Sequence, residues 1–240
     1  MNGSLQGKVA LITGSGRGIG AACAHLFASE GAKVVIASRT QKELDKVEEQ
    51  IRQKFKSEVL SVCTNIIQEA NIKLLFNKIK EKFGKLDILI NNAAVISEDN
   101  FADLDADTWD NVMDVNLRAA FLCSREAFKM FNGRGGAIVN VSSLGGIQGS
   151  EKFKGFTAYI VSKFGIVGLT ESLAVEGKES GIRVNCIAPG AVNTQMLKNA
   201  APHLKSNTYP EDIAKTVLFL CDENQSKAIN GSIIEIHSNL

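Results

Sequence analysis

Paired cysteines, clustered histidines and long apolar runs are all scarce in this sequence. The five cysteines are scattered and never form a Cys-x-x-Cys pair, so neither a zinc site nor a disulfide framework is indicated. The three histidines lie far apart. No apolar run approaches the roughly 18 residues that a membrane-spanning helix needs. We therefore expect no metal site, no membrane span, and buried free thiols in a cytoplasmic protein.

An excess of one charge is also lacking. Lysine and arginine total 27 residues against 26 of aspartate and glutamate, which gives a net charge of +1. Such a chain has no global electrostatic reason to bind nucleic acid, and we expect no nucleic-acid partner. Its 240 residues, 45% of them hydrophobic, suit one globular domain over residues 1–240.

What the sequence does contain is an alternation of short apolar runs with amphipathic stretches. Runs such as V-V-I-A are typical of strands buried on both faces of a parallel sheet. The alternation predicts an α/β fold, a doubly wound parallel sheet of about seven strands with helices on both faces. The predicted strands are Lys8–Thr13, Lys33–Ser38, Glu58–Cys63, Leu86–Asn91, Gly136–Ser142, Ile182–Ala188 and Ser232–His237. The predicted helices are Gly20–Ser29, Gln41–Lys54, Gln68–Phe83, Thr108–Phe131, Thr157–Ser180 and Pro210–Cys221.

A glycine-rich segment, T-G-S-G-R-G-I-G over residues 13–20, follows the first predicted strand and opens a helix. Glycines permit a tight turn and let backbone N–H groups approach a pyrophosphate at a helix N-terminus. The segment therefore indicates a dinucleotide site, and a tight turn without a ligand is the alternative. The predicted contacts are Gly14, Ser15, Arg17, Gly18, Ile19 and Gly20.

The end of the second predicted strand indicates which dinucleotide binds. Many NAD sites have a carboxylate here, bonded to the ribose 2′-OH. This sequence has Ser38 and Arg39, and a hydroxyl with a guanidinium would bind a 2′-phosphate that a carboxylate would repel. Arg17 supplies a second cation. We predict NADP(H) rather than NAD(H); the alternative is that Arg39 is a solvated charge opening the next helix.

Tyr159 and Lys163 lie four residues apart in the predicted helix Thr157–Ser180 and so share one of its faces. A nearby ammonium favours the phenolate and lowers the pKa of a phenol. The phenol can then exchange a proton with a carbonyl or alcohol oxygen while a nicotinamide carries the hydride. A helix with one aromatic residue and one surface lysine is the commoner meaning of this spacing alone.

Polar residues at two other places are candidate partners of this pair. Ser142 and Ser143 end the fifth predicted strand, where a hydroxyl can hold a substrate oxygen near the tyrosine; turn-forming serines are the alternative. Asn116 falls within the apolar stripe of the predicted helix Thr108–Phe131, and a buried amide must find partners. We expect it to hold a water or a backbone kink and complete a proton path; an asparagine satisfied in the core is the alternative.

Further candidate contacts follow the carboxyl ends of other strands, where ligands of doubly wound sheets bind. They are Asn65 near an adenine, Asn92 and Ala93 where a cofactor passes closely, and Pro189, Gly190 and Thr194 near the carboxamide of a nicotinamide.

Together these motifs resemble the short-chain dehydrogenase/reductase family from Lys8 to about Ile236. The resemblance rests on T-G-S-G-R-G-I-G, N-N-A-A, Asn116, V-S-S, Y-I-V-S-K and I-A-P-G, in the family's order and roughly at its spacings. Each motif is weak alone, and the ordered set is specific. It implies a single Rossmann-type domain in which Tyr159 and Lys163 also contact the cofactor. The catalytic set that it implies is Asn116, Ser143, Tyr159 and Lys163, with Ser142 as the alternative serine.

Within that family the sequence is most similar to the 3-oxoacyl-carrier-protein reductases and related NADPH-dependent carbonyl reductases. This implies an oxidoreductase that reduces a small-molecule or carrier-borne ketone to a secondary alcohol, as a homodimer or homotetramer. The alternatives are an NAD(P)-linked dehydrogenase of secondary alcohols and a catalytically silent NADP-binding scaffold. Two departures stand out. The substrate-lid segment 194–210 is short, which indicates an open site, and the C-terminal E-I-H-S-N-L lacks the family's V-D-G-G.

Overall fold

A single sheet of parallel strands runs through the computed structural model, which describes residues 3–238. Its strands are Val9–Thr13 (β1), Lys33–Ser38 (β2), Val59–Cys63 (β3), Ile88–Asn91 (β4), Gly136–Val141 (β5), Ile182–Pro189 (β6) and Ile233–Ile236 (β7). They are ordered β3-β2-β1-β4-β5-β6-β7. The predicted doubly wound fold is confirmed, and each strand boundary lies within two residues of its prediction. Asn239 and Leu240, which end the unusual C-terminal segment, lie outside the described residues.

Helices cover both faces of this sheet. They are Gly18–Ser29 (α1), Gln41–Phe55 (α2), Glu69–Phe83 (α3), Ala106–Met113 (α4), Ala119–Phe131 (α5), Thr157–Glu176 (α6), Gln195–Ala200 (α7), Pro210–Cys221 (α8) and Glu223–Ser226 (α9). Strand β1 shows the arrangement, because successive side chains of a strand point to opposite faces. Ala10 and Ile12 join the core formed with α1, α2 and α8. Val9 and Leu11 join the core formed with α3 and α5.

The order of the strands opens a crevice between β1 and β4. The chain moves outward from β1 to β3 and then returns to place β4 on the other side of β1. The connections that leave these two neighbouring strands therefore diverge, and a ligand can enter between them at the carboxyl ends of the strands.

The predicted helix Thr108–Phe131 is interrupted in the structure. A π-helical turn, Asp114–Arg118, separates α4 from α5. The flanking residues Met113 and Ala119 keep helical dihedral angles, with φ of −64° and −63°. The backbone thus stays helical on both sides of the turn, and the apolar pattern of the sequence also runs through it. The sequence therefore gave no sign of the π-helical turn. Such π turns occur frequently at functional sites.

Two other helices differ from their predictions. The predicted helix Thr157–Ser180 is α-helical only to Glu176, and a 3₁₀ turn, Lys178–Ser180, follows before Gly181 reverses the chain at a φ of +69°. The short helix α7 lies inside the segment that was predicted to be irregular.

Helix α6 is long and apolar enough to cross a membrane by length and composition, with a mean hydropathy of 1.3 over its most apolar window. One third of that window is buried against the rest of the fold. Helices that pack on the core of a globular protein can have the same length and composition, so one such helix is weak evidence for a membrane span. Helix α6 carries Lys163 on its buried side.

All five cysteine thiols are free. Four of them are buried, as expected, whereas Cys63 at the end of β3 is exposed. The expectation of buried thiols is therefore wrong at Cys63, because β3 is an edge strand with one side open to solvent.

Candidate functional site

A hydrogen-bonded junction joins the loops that follow β1 and β4. Thr13 Oγ1 accepts hydrogen bonds from the backbone N–H groups of Asn92 and Ala93, at 3.0 and 3.1 Å. The Asn92 amide donates to the carbonyl oxygens of Thr13 and Gly14, at 2.9 and 3.1 Å. A Cβ on Gly14 would lie 2.8 Å from the Cα of Ala93. The predicted contacts Asn92 and Ala93 thus lie in the crevice and hold the glycine loop in place.

The glycine loop leaves the N-terminus of α1 open to a ligand. Within the described chain, no side chain caps this helix, which begins at Gly18. Gly14 and Gly18 have φ of +65° and +57°, in the left-handed region that favours glycine. A Cβ on Gly20 would lie 2.5 Å from the Gly14 carbonyl oxygen, while Ile19 packs on the core. Uncapped N–H groups behind a loop of glycines fit a pyrophosphate.

Ser15 points away from this surface. Its hydroxyl is buried and accepts a hydrogen bond from the N–H of Ala37 at 2.8 Å. Its own N–H donates to the Ala37 carbonyl oxygen at 3.3 Å. These bonds join the glycine loop to β2, so Ser15 positions the loop rather than presenting a free donor to a ligand.

Near the end of β2, charged and polar side chains surround Gly16 of the glycine loop. A Cβ on Gly16 would lie 2.8 Å from Glu43 Oε2 and 3.1 Å from Ser38 Oγ. Glu43, in the first turn of α2, also forms an ion pair with Arg17, whose Nη1 lies 3.5 Å from Oε1. Arg39 follows Ser38 and is exposed. The residues predicted to bind a 2′-phosphate therefore lie near one another, together with a carboxylate that was not predicted there.

Asn65 lies at the neighbouring edge of the sheet. Its side-chain oxygen accepts a hydrogen bond from the N–H of Ile67 at 3.2 Å. The N–H of Thr64 donates to the Ser38 carbonyl oxygen at 2.8 Å. The loop after β3 is thereby held against the end of β2, which places the predicted adenine contact close to the predicted phosphate contacts.

Tyr159 and Lys163 meet at the carboxyl end of β5. Lys163 is only 2% exposed. Its Nζ donates a hydrogen bond to the Val141 carbonyl oxygen at 2.8 Å and lies 5.5 Å from the centroid of the Tyr159 ring. The Ser143 hydroxyl lies close enough to the phenol to lower its pKa. The predicted serine, tyrosine and lysine are thus brought together.

Burial governs the titration of this pair. It raises the pKa of the Tyr159 phenol, and the Ser143 hydroxyl acts in the opposite direction. It lowers the pKa of Lys163 from 10.5 to about 8, and the Cys186 thiol acts in the opposite direction. The expectation of a lowered phenol pKa is wrong for this structure, because burial, which disfavours the phenolate, is the largest cause of the shift.

The two serines after β5 have different surroundings. Ser142 is buried and donates a hydrogen bond to the Lys163 carbonyl oxygen at 2.8 Å. Ser143 accepts a hydrogen bond from the N–H of Gly145 at 3.1 Å, which caps a short 3₁₀ turn. Since Ser142 supports the backbone of α6 and Ser143 faces the phenol, Ser143 has the hydroxyl that a substrate oxygen can reach.

Asn116 ties the π-helical turn to two other parts of the site. Its Oδ1 accepts a hydrogen bond from the N–H of Val95 at 2.8 Å. Its amide donates to the Val95 carbonyl oxygen at 2.9 Å and to Ser162 Oγ at 3.0 Å. Ser162 in turn donates to the Tyr159 carbonyl oxygen at 2.7 Å. Protein groups thus satisfy the buried amide, which is the alternative that the sequence left open, and they belong to the loop after β4 and to α6.

The segment after β6 forms the remaining wall of the crevice. Pro189 ends β6 and is buried, and the N–H of Gly190 donates to the Ile236 carbonyl oxygen at 2.9 Å. Thr194 caps α7 with its hydroxyl, and a Cβ on Gly18 would lie 3.5 Å from its methyl group. Thr194 therefore lies over the start of α1, facing the predicted pyrophosphate site.

Comparison with known proteins identifies the family. The sequence model described as short chain dehydrogenase matches residues 8–205. The chain is a short-chain dehydrogenase. The dehydrogenase is thus an oxidoreductase, and its family uses a nicotinamide cofactor. The uncapped start of α1 and its glycine loop fit such a cofactor.

Relatives of the dehydrogenase match it over nearly its whole length. The 3-oxoacyl-[acyl-carrier-protein] reductase FabG of Aquifex aeolicus is 35% identical over 247 residues, covering 98% of each chain. A 3beta-hydroxysteroid dehydrogenase of Mediterraneibacter gnavus is 31% identical over 264 residues, covering 97% of this chain and 94% of the relative. The structure of L-sorbose reductase from Gluconobacter frateurii, complexed with NADPH and L-sorbose, has a TM-score of 0.90 and 28% identity, covering 100% of this chain and 98% of that chain. These names differ in substrate, so family membership alone does not name one.

Several residues that shape the site of the dehydrogenase were not predicted. Thr13 joins the two crevice loops, and its place directly before the first glycine was the available signal. Ser162 links Asn116 to Tyr159 from within the Y-I-V-S-K motif. Glu43 gave no signal, because a glutamate in the first turn of a helix is common for its favourable interaction with the helix dipole.

Proposed function

We propose that this dehydrogenase reduces a ketone to a secondary alcohol with NADPH, and that its substrate is a 3-oxoacyl thioester or a similar carrier-borne ketone. The observation that carries the proposal is the meeting of the Tyr159 phenol, the Ser143 hydroxyl and the buried Lys163 ammonium beside the crevice. The 35% identity to a 3-oxoacyl-[acyl-carrier-protein] reductase supports the substrate class.

Tyr159 is the proposed proton donor. The ketone oxygen would accept hydrogen bonds from the phenol and from the Ser143 hydroxyl, which fix its position. A bound nicotinamide supplies the hydride to the carbonyl carbon. Tyr159 gives its proton to the oxygen, the alcohol forms, and the phenolate regains a proton from water. The raised pKa of the phenol keeps Tyr159 protonated before this step.

Lys163 is the proposed cation of the site. With a pKa of about 8 it is mostly charged at neutral pH, and a positive charge near the phenol stabilises the phenolate that is left after proton transfer. Together with Tyr159 it would also hold the nicotinamide ribose. Asn116 would keep this arrangement rigid through its bonds to Val95 and Ser162.

The proposed preference for NADPH rests on the residues near the end of β2. Arg17 and Arg39 can form charge-assisted hydrogen bonds with a 2′-phosphate, and Ser38 can donate its hydroxyl proton. Beyond this end, Asn65 would face the adenine. The NADPH complex of L-sorbose reductase, a structural relative, supports the preference.

The segment 194–210 is the proposed substrate lid of the single domain. The end of this segment is held against the chain before it, because the N–H of Asn193 donates to the Thr208 carbonyl oxygen at 2.8 Å and Ser206 donates to the Ala191 carbonyl oxygen at 2.7 Å. The short α7 is the helix available to cover a substrate. A lid of this size suits a bulky or carrier-borne ketone that stays partly outside the protein.

A second copy of the chain is the proposed protein partner, as a dimer or a tetramer. A groove of about 530 Å³ lies between the π-helical turn with the start of α5 on one side and α6 on the other. Leu117, Phe121 and Leu169 give it apolar walls. Gly168, where an added Cβ would meet no atom within 4 Å, leaves room for the close approach of a partner helix. A two-fold dimer would pair this face with the same face of a second copy.

The proposed compartment is the cytoplasm. Every cysteine thiol of the chain is free, and a reducing compartment keeps thiols in that state. The 3-oxoacyl-[acyl-carrier-protein] reductases among the relatives are consistent with this placement.

The test of the proposed reaction is consumption of NADPH with a panel of ketones that includes an acetoacetyl thioester. Tyr159→Phe removes the phenolic proton and keeps the ring. We expect turnover to fall by about 100-fold or more, because proton transfer by a positioned side chain contributes that much, while NADPH binding persists.

Each other outcome contradicts a named part of the proposal. Unchanged turnover in Tyr159→Phe contradicts the assignment of the proton donor. Equal affinity for NADH and NADPH contradicts the cofactor preference. Binding of NADPH without turnover of any ketone favours the catalytically silent scaffold.

A further inference from the structure

The Arg17–Glu43 ion pair lies where the proposed function places a phosphate. Arg17 and Ser38 are proposed to bind the 2′-phosphate, and both lie beside Gly16. Glu43 Oε2 would be 2.8 Å from a Cβ on Gly16, and Oε1 is 3.5 Å from Arg17 Nη1. A carboxylate of the chain therefore already occupies the position of an anion at this end of the crevice.

Helix capping does not account for the position of Glu43. It is the third residue of α2, where a glutamate can accept a hydrogen bond from the N–H of the N-cap residue. That N–H, of Thr40, instead donates to Ser38 Oγ at 3.2 Å. The Glu43 carboxylate reaches back over Gly16 to Arg17, and its side chain is 34% exposed. Its contacts are thus those of the nucleotide site rather than of its own helix.

We propose that Glu43 is a specificity-determining residue that weakens binding of a 2′-phosphorylated cofactor, because its carboxylate holds Arg17 and repels the phosphate. The inference rests on the proposed NADPH site. An incoming phosphate must replace the carboxylate as the partner of Arg17, and like charges a few ångströms apart repel. An unphosphorylated ribose meets neither obstacle, since its 2′-OH can donate a hydrogen bond to a carboxylate. Glu43 thereby reduces the difference in affinity between NADPH and NADH.

Glu43→Gln tests this role, because it removes the charge and keeps the size of the side chain. Dissociation constants are measured for NADPH and NADH by fluorescence, and for 2′,5′-ADP and 5′-AMP by calorimetry, since these two probes carry no nicotinamide. We expect NADPH and 2′,5′-ADP to bind about three- to tenfold more tightly to the variant, with NADH and 5′-AMP unchanged or weaker. The gain should shrink at high salt, which screens exposed charges.

Two further variants separate the local effect from a general change of charge. Glu49→Gln makes the same charge change on the same helix, at an exposed residue whose carboxylate accepts a hydrogen bond from Gln53 at 3.0 Å. It should leave all four affinities unchanged. In an Arg17→Gln background, the gain from Glu43→Gln should be smaller, because no guanidinium is released.

Several results would overturn the assignment of Glu43. They are unchanged binding of NADPH in Glu43→Gln, weaker binding of NADPH, and equal tightening of NADPH and NADH. A wild-type protein that binds NADH as tightly as NADPH would contradict the proposed cofactor preference instead. In that case, selective tightening of NADPH in Glu43→Gln would still support the role of Glu43, so the two proposals can fail separately.

Discussion

Among individual residues, Lys163 has the clearest thermodynamic signature. Its folded-state pKa of about 8 lies below its usual 10.5 because the ammonium is buried. The unfolded chain therefore binds more protons between about pH 8 and pH 10.5, and the free energy of unfolding rises with pH through that window. Below about pH 8 the cost of burying the charge is fully present.

Lys163→Met should therefore stabilise the fold at pH 7 while abolishing turnover. The lowered pKa corresponds to a cost of roughly 3 kcal/mol for burying the charged ammonium, which the variant no longer has. The variant also loses the hydrogen bond to the Val141 carbonyl, which offsets about 1 kcal/mol of that gain. We expect a net gain of about 1–2 kcal/mol in the free energy of unfolding, measured with urea. The gain should shrink at pH 9.5, where wild-type Lys163 is largely neutral.

The exposed Lys178 supplies the control for that experiment. Lys178→Met removes the same charge just beyond α6, without the burial, and should leave the stability nearly unchanged at both pH values. A Lys163→Met variant that is less stable than the wild type, or a gain that does not depend on pH, would contradict the burial argument.

Residue type and spacing were enough to predict that Tyr159 and Lys163 lie close together, because the four-residue spacing in a helix brings them to one face. They did not separate Ser142 from Ser143. The structure separates them because successive residues at a strand end point in opposite directions. Glu43 could not be predicted, since its place beside Gly16 depends on how α2 packs against the glycine loop.

Among the secondary-structure elements, the π-helical turn Asp114–Arg118 is the one most directly tied to the site. Asn116 lies inside it and bonds to both backbone groups of Val95, in the loop after β4, and to Ser162 on α6. One side chain thus holds together a turn, a loop and the helix that carries Tyr159.

Asn116→Ala should cost about 1–3 kcal/mol in the free energy of unfolding, because the N–H and carbonyl of Val95 lose their partner. We expect kcat to fall more than NADPH affinity, since α6 and the loop lose their common support. Urea unfolding, steady-state kinetics and NADPH titration measure the three quantities.

Asn111→Ala is the matched control, because Asn111 is exposed in α4, before the π-helical turn. It should leave stability and kcat close to those of the wild type. A fully active and equally stable Asn116→Ala protein would show that the turn keeps its shape without the amide.

Element boundaries were predictable where the pattern changes and not where it continues. The β-branched runs end at glycine or polar residues, so the strands were located well. The π-helical turn has no such marker, because its flanking residues keep ordinary helical angles. Helix α7 has six residues, too few for a periodic pattern to be recognised.

For the molecule as a whole, the apolar groove along α6 makes the oligomeric state testable with a small change. A Cβ on Gly168 would meet no atom within 4 Å, so the monomer can accept a side chain there. Gly168→Glu should convert the proposed dimer or tetramer to a smaller species, because it places a charge where the partner helix would pack. Size-exclusion chromatography with light scattering measures the mass.

Leu74→Glu is the control for that substitution. Leu74 is 58% exposed on α3, away from the groove, and a glutamate there should not change the mass. A Gly168→Glu protein that keeps the wild-type mass would contradict the assignment of this groove, and a monomeric wild type would contradict the oligomer itself.

The doubly wound parallel sheet was predictable from the alternation of strands and helices, whereas the order of its strands comes from the structure. The groove did not follow from the alternation either. Its apolar side chains come from two helical segments whose relative position is set by tertiary packing. From the sequence alone, these side chains are indistinguishable from residues that pack in the core.

The junction between the two crevice loops sets the order in which the site can form during protein synthesis. The Asn92 amide reaches carbonyl groups 78 and 79 residues earlier in the chain. A nascent chain that has left the ribosome only as far as α3 has the glycine loop but lacks the residues that hold it, and one edge of β1 is still unpaired. The nucleotide cradle and the pairing of β1 with β4 are therefore completed together. Nucleotide binding by a nascent chain would thus show that β1 has paired with β4, and it would not detect any earlier stage of sheet assembly.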